Sequence, residues 1–161
     1  MTTPVQRTHQ IIRENLYMVI ATASKTGMPW ISPVYFASDS KLNFYWSSSK
    51  NSMHSRLINK NKNVAVVVFN SAAAEGTGNA VYMTGKASEV SGKEIQHGLN
   101  LLYNRTGKTS KYFKNMTSSD YTGSSPVRIY KFVPRKFWML GESVRIKGKL
   151  VDRKKEILFK R

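Results

Sequence analysis

The sequence predicts an α+β protein in which mostly antiparallel strands curl into a small barrel decorated by a few short helices. Three observations lead there. β-branched and aromatic stretches recur at short intervals and are separated by Gly-, Ser- and Asn-rich turns. Only three segments carry apolar residues at helical spacing. At 161 residues, with no internal repeat and no linker, the chain is long enough for one domain with a real core and short for two. We therefore read residues 1–161 as a single domain of about six strands.

Taken in order, residues 1–15 hold an N-terminal helix beginning at Pro4, with Val5, Ile11 and Ile12 on one side. LYMVIATAS (16–24) reads as a strand, and Gly27 follows in a turn where positive φ is cheap. PWISPVYFA (29–37) reads as a second strand. Its Pro33 has no N–H for a ladder, so this strand should lie at an edge or carry a bulge. LNFYW (42–46) completes a three-strand meander. A hydroxyl-rich loop holding Ser47, Ser48, Ser49, Ser52 and Ser55 comes next, with Ser52 as the N-cap of a short helix over 53–59. NVAVVVFN (63–70) is apolar enough to be buried on both faces. AVYMTGKASEV (80–90) is a strand with Gly85 as a bulge or close-approach point, and 93–105 is a helix through Ile95, Leu99 and Leu102. Residues 106–125 read as a long loop with a turn of helix near 110–113. VRIYKFVPRKFWML alternates as a strand up to Pro134, and one or two short strands finish the chain.

Composition narrows the function classes. Zero cysteines exclude disulfides, thiolate catalysis and cysteine-ligated metals. His9, His54 and His97 are scattered without ligand-spaced carboxylates, which argues against a metal site and against a Ser-His-Asp triad. No apolar run approaches the ~20 residues of a membrane span, and the polar N-terminus lacks a signal-peptide core, so the protein reads as cytoplasmic. With 26 Lys and Arg against 9 Asp and Glu, the net charge is +17, a field that attracts polyanions and anionic small molecules. Much of the excess lies in the basic C-terminal segment 145–161, RIKGKLVDRKKEILFKR, which reads as a solvated face or tail.

The loop between residues 44 and 70 is the candidate site. FYWSSSKNSMHSR places many hydroxyls, a Lys, a His and an Arg beside a helix start. Hydroxyls, loop N–H groups and a helix N-terminus can together satisfy a phosphate, to which Arg56 could add a forked contact. The same residues could equally form a loop that only caps its helix.

The ordered set ISPVYF, FYW-S-S, HSR, NKNVAVVVF and GNAVYMTGKASEV resembles the pyridoxamine 5′-phosphate oxidase-like family of FMN-binding split barrels, closely over 16–90 and more loosely at RKFWMLGESVR. The resemblance implies a homodimer with FMN at the subunit interface. It places the isoalloxazine along Trp30, Ser32, Pro33 and Val34. It places the phosphate at Tyr45, Trp46, Ser47, Lys50, Ser52, Met53, His54 and Arg56, and brings Trp138 and Arg145 to the cleft. Where pyridoxamine phosphate oxidases carry Ser-Arg-Lys, this chain has Ser52-Met53-His54. Their C-terminal His-Asp-Arg is absent, as is the basic residue at the end of the ring-side strand, where this chain has residues 35–37. Pyridoxamine phosphate itself is therefore not the expected substrate. The expected function is an FMN-dependent oxidoreductase acting on an unknown small molecule, with no residue assignable as catalytic. The alternatives are a reductase of the same fold using the deazaflavin F420, a non-catalytic flavin-binding protein, and a basic nucleic-acid-binding module, the last less favoured.

Overall fold

The computed structural model describes residues 2–105, 110–141 and 143–159. Its elements are α1 (Pro4–Glu14), β1 (Tyr17–Ala23), β2 (Pro29–Tyr35), β3 (Ala37–Ser38), β4 (Phe44–Ser49), α2 (Met53–Lys60), β5 (Asn63–Phe69), β6 (Ala80–Glu89), α3 (Lys93–Asn104), β7 (Val127–Leu140), β8 (Val144–Ile146), β9 (Lys149–Val151) and β10 (Lys154–Glu156). A 3₁₀ turn at Ser118–Tyr121 precedes β7. Among the described residues no helix is long and apolar enough to cross a membrane.

The main sheet is antiparallel, in the order β2-β1-β5-β6-β7-β4-β3 with β10 added alongside β7, and it curls into a half-barrel. β2 lies at one end of that path, where the missing N–H of Pro33 costs least. The first strands do not form the expected meander. β1 and β2 make a hairpin, but β4 pairs with β7, far along the chain, through Phe44↔Phe132 to Ser49↔Val127. β4 also runs on through Ser47, Ser48 and Ser49, so three of the expected loop serines are strand residues.

Two cores flank this sheet. Inside the curl, Met18, Ile20, Phe36, Phe44, Trp46, Ile58, Val66, Met83, Tyr130 and Phe132 pack together. α1 closes one side of the curl against β5 and β6, and α2 packs against β1, β2 and β6. On the other face of β4 and β7, α3 covers Tyr45 and Ile129 with Ile95, Leu99 and Leu102. Alternation along β4 is what lets one strand feed both cores: Phe44 and Trp46 point one way and Tyr45 the other.

Three further expectations need correction. β5 is not buried on both faces: Val64, Val66 and Val68 are inward, whereas Asn63, Ala65 and Phe69 are exposed. β7 does not stop at Pro134 but continues to Leu140: Gly85 pairs with Pro134 and Thr84 with Lys136, so the register shifts by one residue and Arg135 is the extra residue of a bulge that lets the strand run on. A Cβ at Gly85 would stand 2.2 Å from the Val133 carbonyl oxygen, so the strands can approach there only because the residue is glycine. The helical turn of the long loop comes at 118–121, whereas residues 111–115 are hydrogen-bonded turn; the part of that expectation at 106–109 lies outside the described residues.

Candidate functional site

α2 begins where the sequence predicts. Ser52 is its N-cap, with extended backbone, and its hydroxyl accepts from the Ser55 N–H at 3.4 Å. That cap faces the end of β4 and the edge strand β2, and a chain of polar groups connects all three. The His54 ring stands between two sets of hydroxyls. Its Nε2 is 2.8 Å from Ser48 Oγ and 3.1 Å from Ser52 Oγ, and its Nδ1 is 3.1 Å from Ser32 Oγ. The Trp30 indole N–H donates to the same Ser32 oxygen at 3.0 Å. Ser52 Oγ in turn donates to Ser55 Oγ at 2.9 Å. Neutral imidazole has one donor and one acceptor nitrogen, and hydroxyls, which can do either, suit it on both sides.

Burial decides the charge of this group. His54 is 8% exposed, and desolvation pushes its pKa below the ordinary 6.5, so the ring is neutral at physiological pH. Positive charge at the site must come from Arg56, exposed on the next turn with Nη2 3.8 Å from Met53 Sδ, and from Lys50, whose backbone N–H is held by the Pro126 carbonyl at 2.9 Å. The first turn of α2 adds N–H groups that the helix itself does not use.

The structure thus brings Trp30, Ser32, Ser52 and His54 together, with Lys50, Met53 and Arg56 on the adjoining surface. Val34 is buried in the inner core, and Pro33 is exposed on the outer side of β2. Tyr45 and Trp46 do not present their rings to this site. Trp46 is fully buried and stacked on Tyr130 with centroids 5.5 Å apart, and Tyr45 is buried under α3, its hydroxyl donating to Glu94 at 3.2 Å. Burial pulls Lys131 down, but the Glu94 carboxylate and Tyr45 outweigh it and hold its pKa above the usual value, so an ion pair anchors this corner. Ser47 points away from His54, toward an open recess of about 370 Å³ shared with Tyr17, Tyr35, Lys111, Tyr112 and Phe113. Trp138 stands on the outer face of the sheet beside Tyr82. Arg145 is exposed on the separate β8–β9 hairpin, its guanidinium donating to the Gly148 carbonyl, and is not joined to the His54 cluster within this chain. Ser48, read from the sequence only as one of the loop hydroxyls, was not among the residues assigned to the phosphate, and alternation could have placed it. Ser48 shares a strand face with Phe44 and Trp46, which point into the curl where α2 packs.

A curled antiparallel sheet with a capped helix at its edge strand defines the split-barrel class of α+β proteins. The family model for pyridoxamine 5′-phosphate oxidase matches residues 5–141, and the chain belongs to that family. Solved structures share the fold. A candidate 5-nitroimidazole antibiotic resistance protein from Bacteroides thetaiotaomicron is 17% identical, with a TM-score of 0.65, covering 83% of this chain and 81% of its own. The haem storage protein HutZ from Vibrio cholerae is 14% identical, with a TM-score of 0.65 and coverages of 80% and 88%. A candidate pyridoxamine 5′-phosphate oxidase from Listeria innocua is 17% identical, with a TM-score of 0.58 and coverages of 89% and 97%. A search among curated proteins returns no match.

Proposed function

We propose that this protein binds FMN at the junction of β2, β4 and α2 and acts as a homodimeric oxidoreductase on a small molecule. The observation that carries the reading is the hydroxyl cluster around His54 at the start of α2, beside an edge strand with backbone groups to spare. The donor set fits a flavin phosphate: the hydroxyl of Ser48, N–H groups of the first helical turn that Ser52 caps, and the exposed guanidinium of Arg56. Bound FMN would supply two-electron redox chemistry, and the chain needs no acid or base of its own for that. His54 does not supply charge; it holds Ser32, Ser48 and Ser52 in place. The indole of Trp30, 46% exposed and tied to Ser32, is available to cover a ring lying along β2.

The dimer belongs to the same proposal. The outer sheet face carries a recess of about 550 Å³ lined by Val19, Ala21, Ile31, Val67, Tyr82 and Trp138, an apolar surface that a second copy would cover. A haem reading, which the likeness to HutZ raises, is less favoured because both ring nitrogens of His54 are already engaged by serines. Mass spectrometry of the small molecule that copurifies, with an absorption spectrum, tests the reading. Flavin bands and FMN are expected; a Soret band, or failure of the protein to take up added FMN at micromolar concentration, would overturn it.

A further inference from the structure

Of the two readings of the basic C-terminal segment, the structure gives the solvated face: its described cations are exposed, but the backbone is held to the sheet. The segment folds back so that β10 pairs with β7 through Lys154↔Leu140 and Lys155↔Met139, and it forms one wall of a groove of about 1270 Å³. The start of α1, with Arg7, makes another wall, and the end of β7 and the Gly76–Asn79 turn complete it. Four cations line this groove: Arg7, Arg153, Lys154 and Lys155. All four are exposed, and none has an ion-pair partner among the described residues. Asp152 is the one acid among the described lining residues, and its carboxylate already accepts from the Ser143 hydroxyl at 2.7 Å. The Lys154 ammonium is steadied 4.0 Å above the centre of the Tyr82 ring.

Uncompensated like charges converging on a concave surface repel one another, and a cleft focuses their field on whatever enters it. An extended anion with several phosphates relieves that repulsion along the length of the groove. Among the described residues no aromatic ring lines the groove, so none of them there can stack on a base or favour one base over another. We propose that this groove binds the sugar–phosphate backbone of single-stranded nucleic acid without base preference. The proposal is independent of the flavin site, since no residue of the His54 cluster lines the groove; Lys154 alone is shared with the outer recess assigned to the dimer.

Fluorescence anisotropy with a labelled oligothymidylate of about a dozen nucleotides tests this between about 50 and 200 mM salt. Four phosphate contacts to a single strand predict that log affinity falls against log salt with a slope of about −2.8. The R7Q/R153Q/K155Q variant, which leaves Lys154 of the outer recess in place, should bind at least about tenfold more weakly at the lower salt and show a slope shallower by about 2. The control K41Q/K93Q/K114Q removes the same charge from exposed lysines elsewhere and should change affinity by less than about threefold. Equal losses in the two variants would overturn the proposal, because binding would then follow net charge and not the groove. So would a tenfold preference between oligothymidylate and oligoadenylate. Inorganic tripolyphosphate competing as well as the oligonucleotide, phosphate for phosphate, would also overturn it, making the ligand a free oligophosphate. Matching melting temperatures for the two variants establish that both are folded.

Discussion

The Nε2 atom of His54 lies 2.8 Å from the hydroxyl of Ser48, and this contact joins the first turn of α2 to the last residues of β4. It is a contact between neutral partners, made where the helix start, the strand end and the edge strand β2 converge. The imidazole therefore acts as a spacer that presents serine hydroxyls, and the charge that an anion needs is left to the exposed cations around it.

A pH dependence of stability follows. The folded-state pKa of His54 is depressed by burial, so folding favours the neutral ring. Above the unfolded value near 6.5 this contribution is fully present, and it is lost as pH falls from there toward the folded value, because the unfolded chain takes up a proton that the folded chain resists. Urea midpoints should decline from pH 7 to pH 5, and His54→Asn should flatten that component. A midpoint that rises on acidification, or an unchanged slope in the variant, would contradict the neutral assignment.

Arg56 is expected to act on the ligand and not on the fold. Arg56→Ala should weaken FMN by about tenfold, the lower end of the 1.5–3 kcal/mol typical of a hydrogen bond to a charged group, because this side chain is exposed and screened. Riboflavin, which lacks the phosphate, should bind the variant and the parent protein alike. Titration of both ligands makes the comparison, and equal loss of the two would mean that Arg56 is not at the phosphate.

Gly85 should tolerate no side chain. In Gly85→Ala the new Cβ would meet the Val133 carbonyl at 2.2 Å, Phe132 Cε2 at 2.8 Å and Pro134 Cα at 2.8 Å, and two of these three atoms belong to backbone. Overpacking of this kind costs about 1–3 kcal/mol, and the upper end is expected because β6 and β7 cannot separate without breaking their ladder. Chemical denaturation would show the loss as a lower midpoint, and an unchanged midpoint would mean that the bulge relaxes.

Val67→Asp tests the outer face. Val67 pairs with Val19 and Tyr82 across β5 and is half-buried on the surface that a second copy would cover. A carboxylate desolvated there, with Lys154 as the one cation lining the recess, should weaken the dimer by roughly tenfold or more while leaving the inward valines packed. Sedimentation equilibrium should find a dimer for the parent protein at micromolar concentration and a monomer for the variant. A monomeric parent protein with flavin present would remove the dimer from the proposal.

What the sequence determined by itself was local. Pro4–Glu14 as an amphipathic helix, Ser52 as a cap, Ile95, Leu99 and Leu102 as one helix face and Gly85 as a point of close approach all came from spacing and residue chemistry within a few positions. Tertiary structure alone decided what distant segments do to one another. Nothing near Phe44 announces that its strand pairs with β7, and that pairing is what buries Trp46 in a core and turns Ser48 toward His54. β5 looked buried on both faces because its valines are uniform, yet only one side of the curl is filled by its own chain. The resemblance put His54 at the phosphate without fixing its charge, and desolvation by its neighbours makes it neutral. The C-terminal basic segment read as a solvated face or tail, and the pairing of β10 along β7 makes it a face. Caps, turns and periodicity depend on energies between neighbours in the chain, whereas strand partner, face and protonation depend on groups that only folding brings within reach.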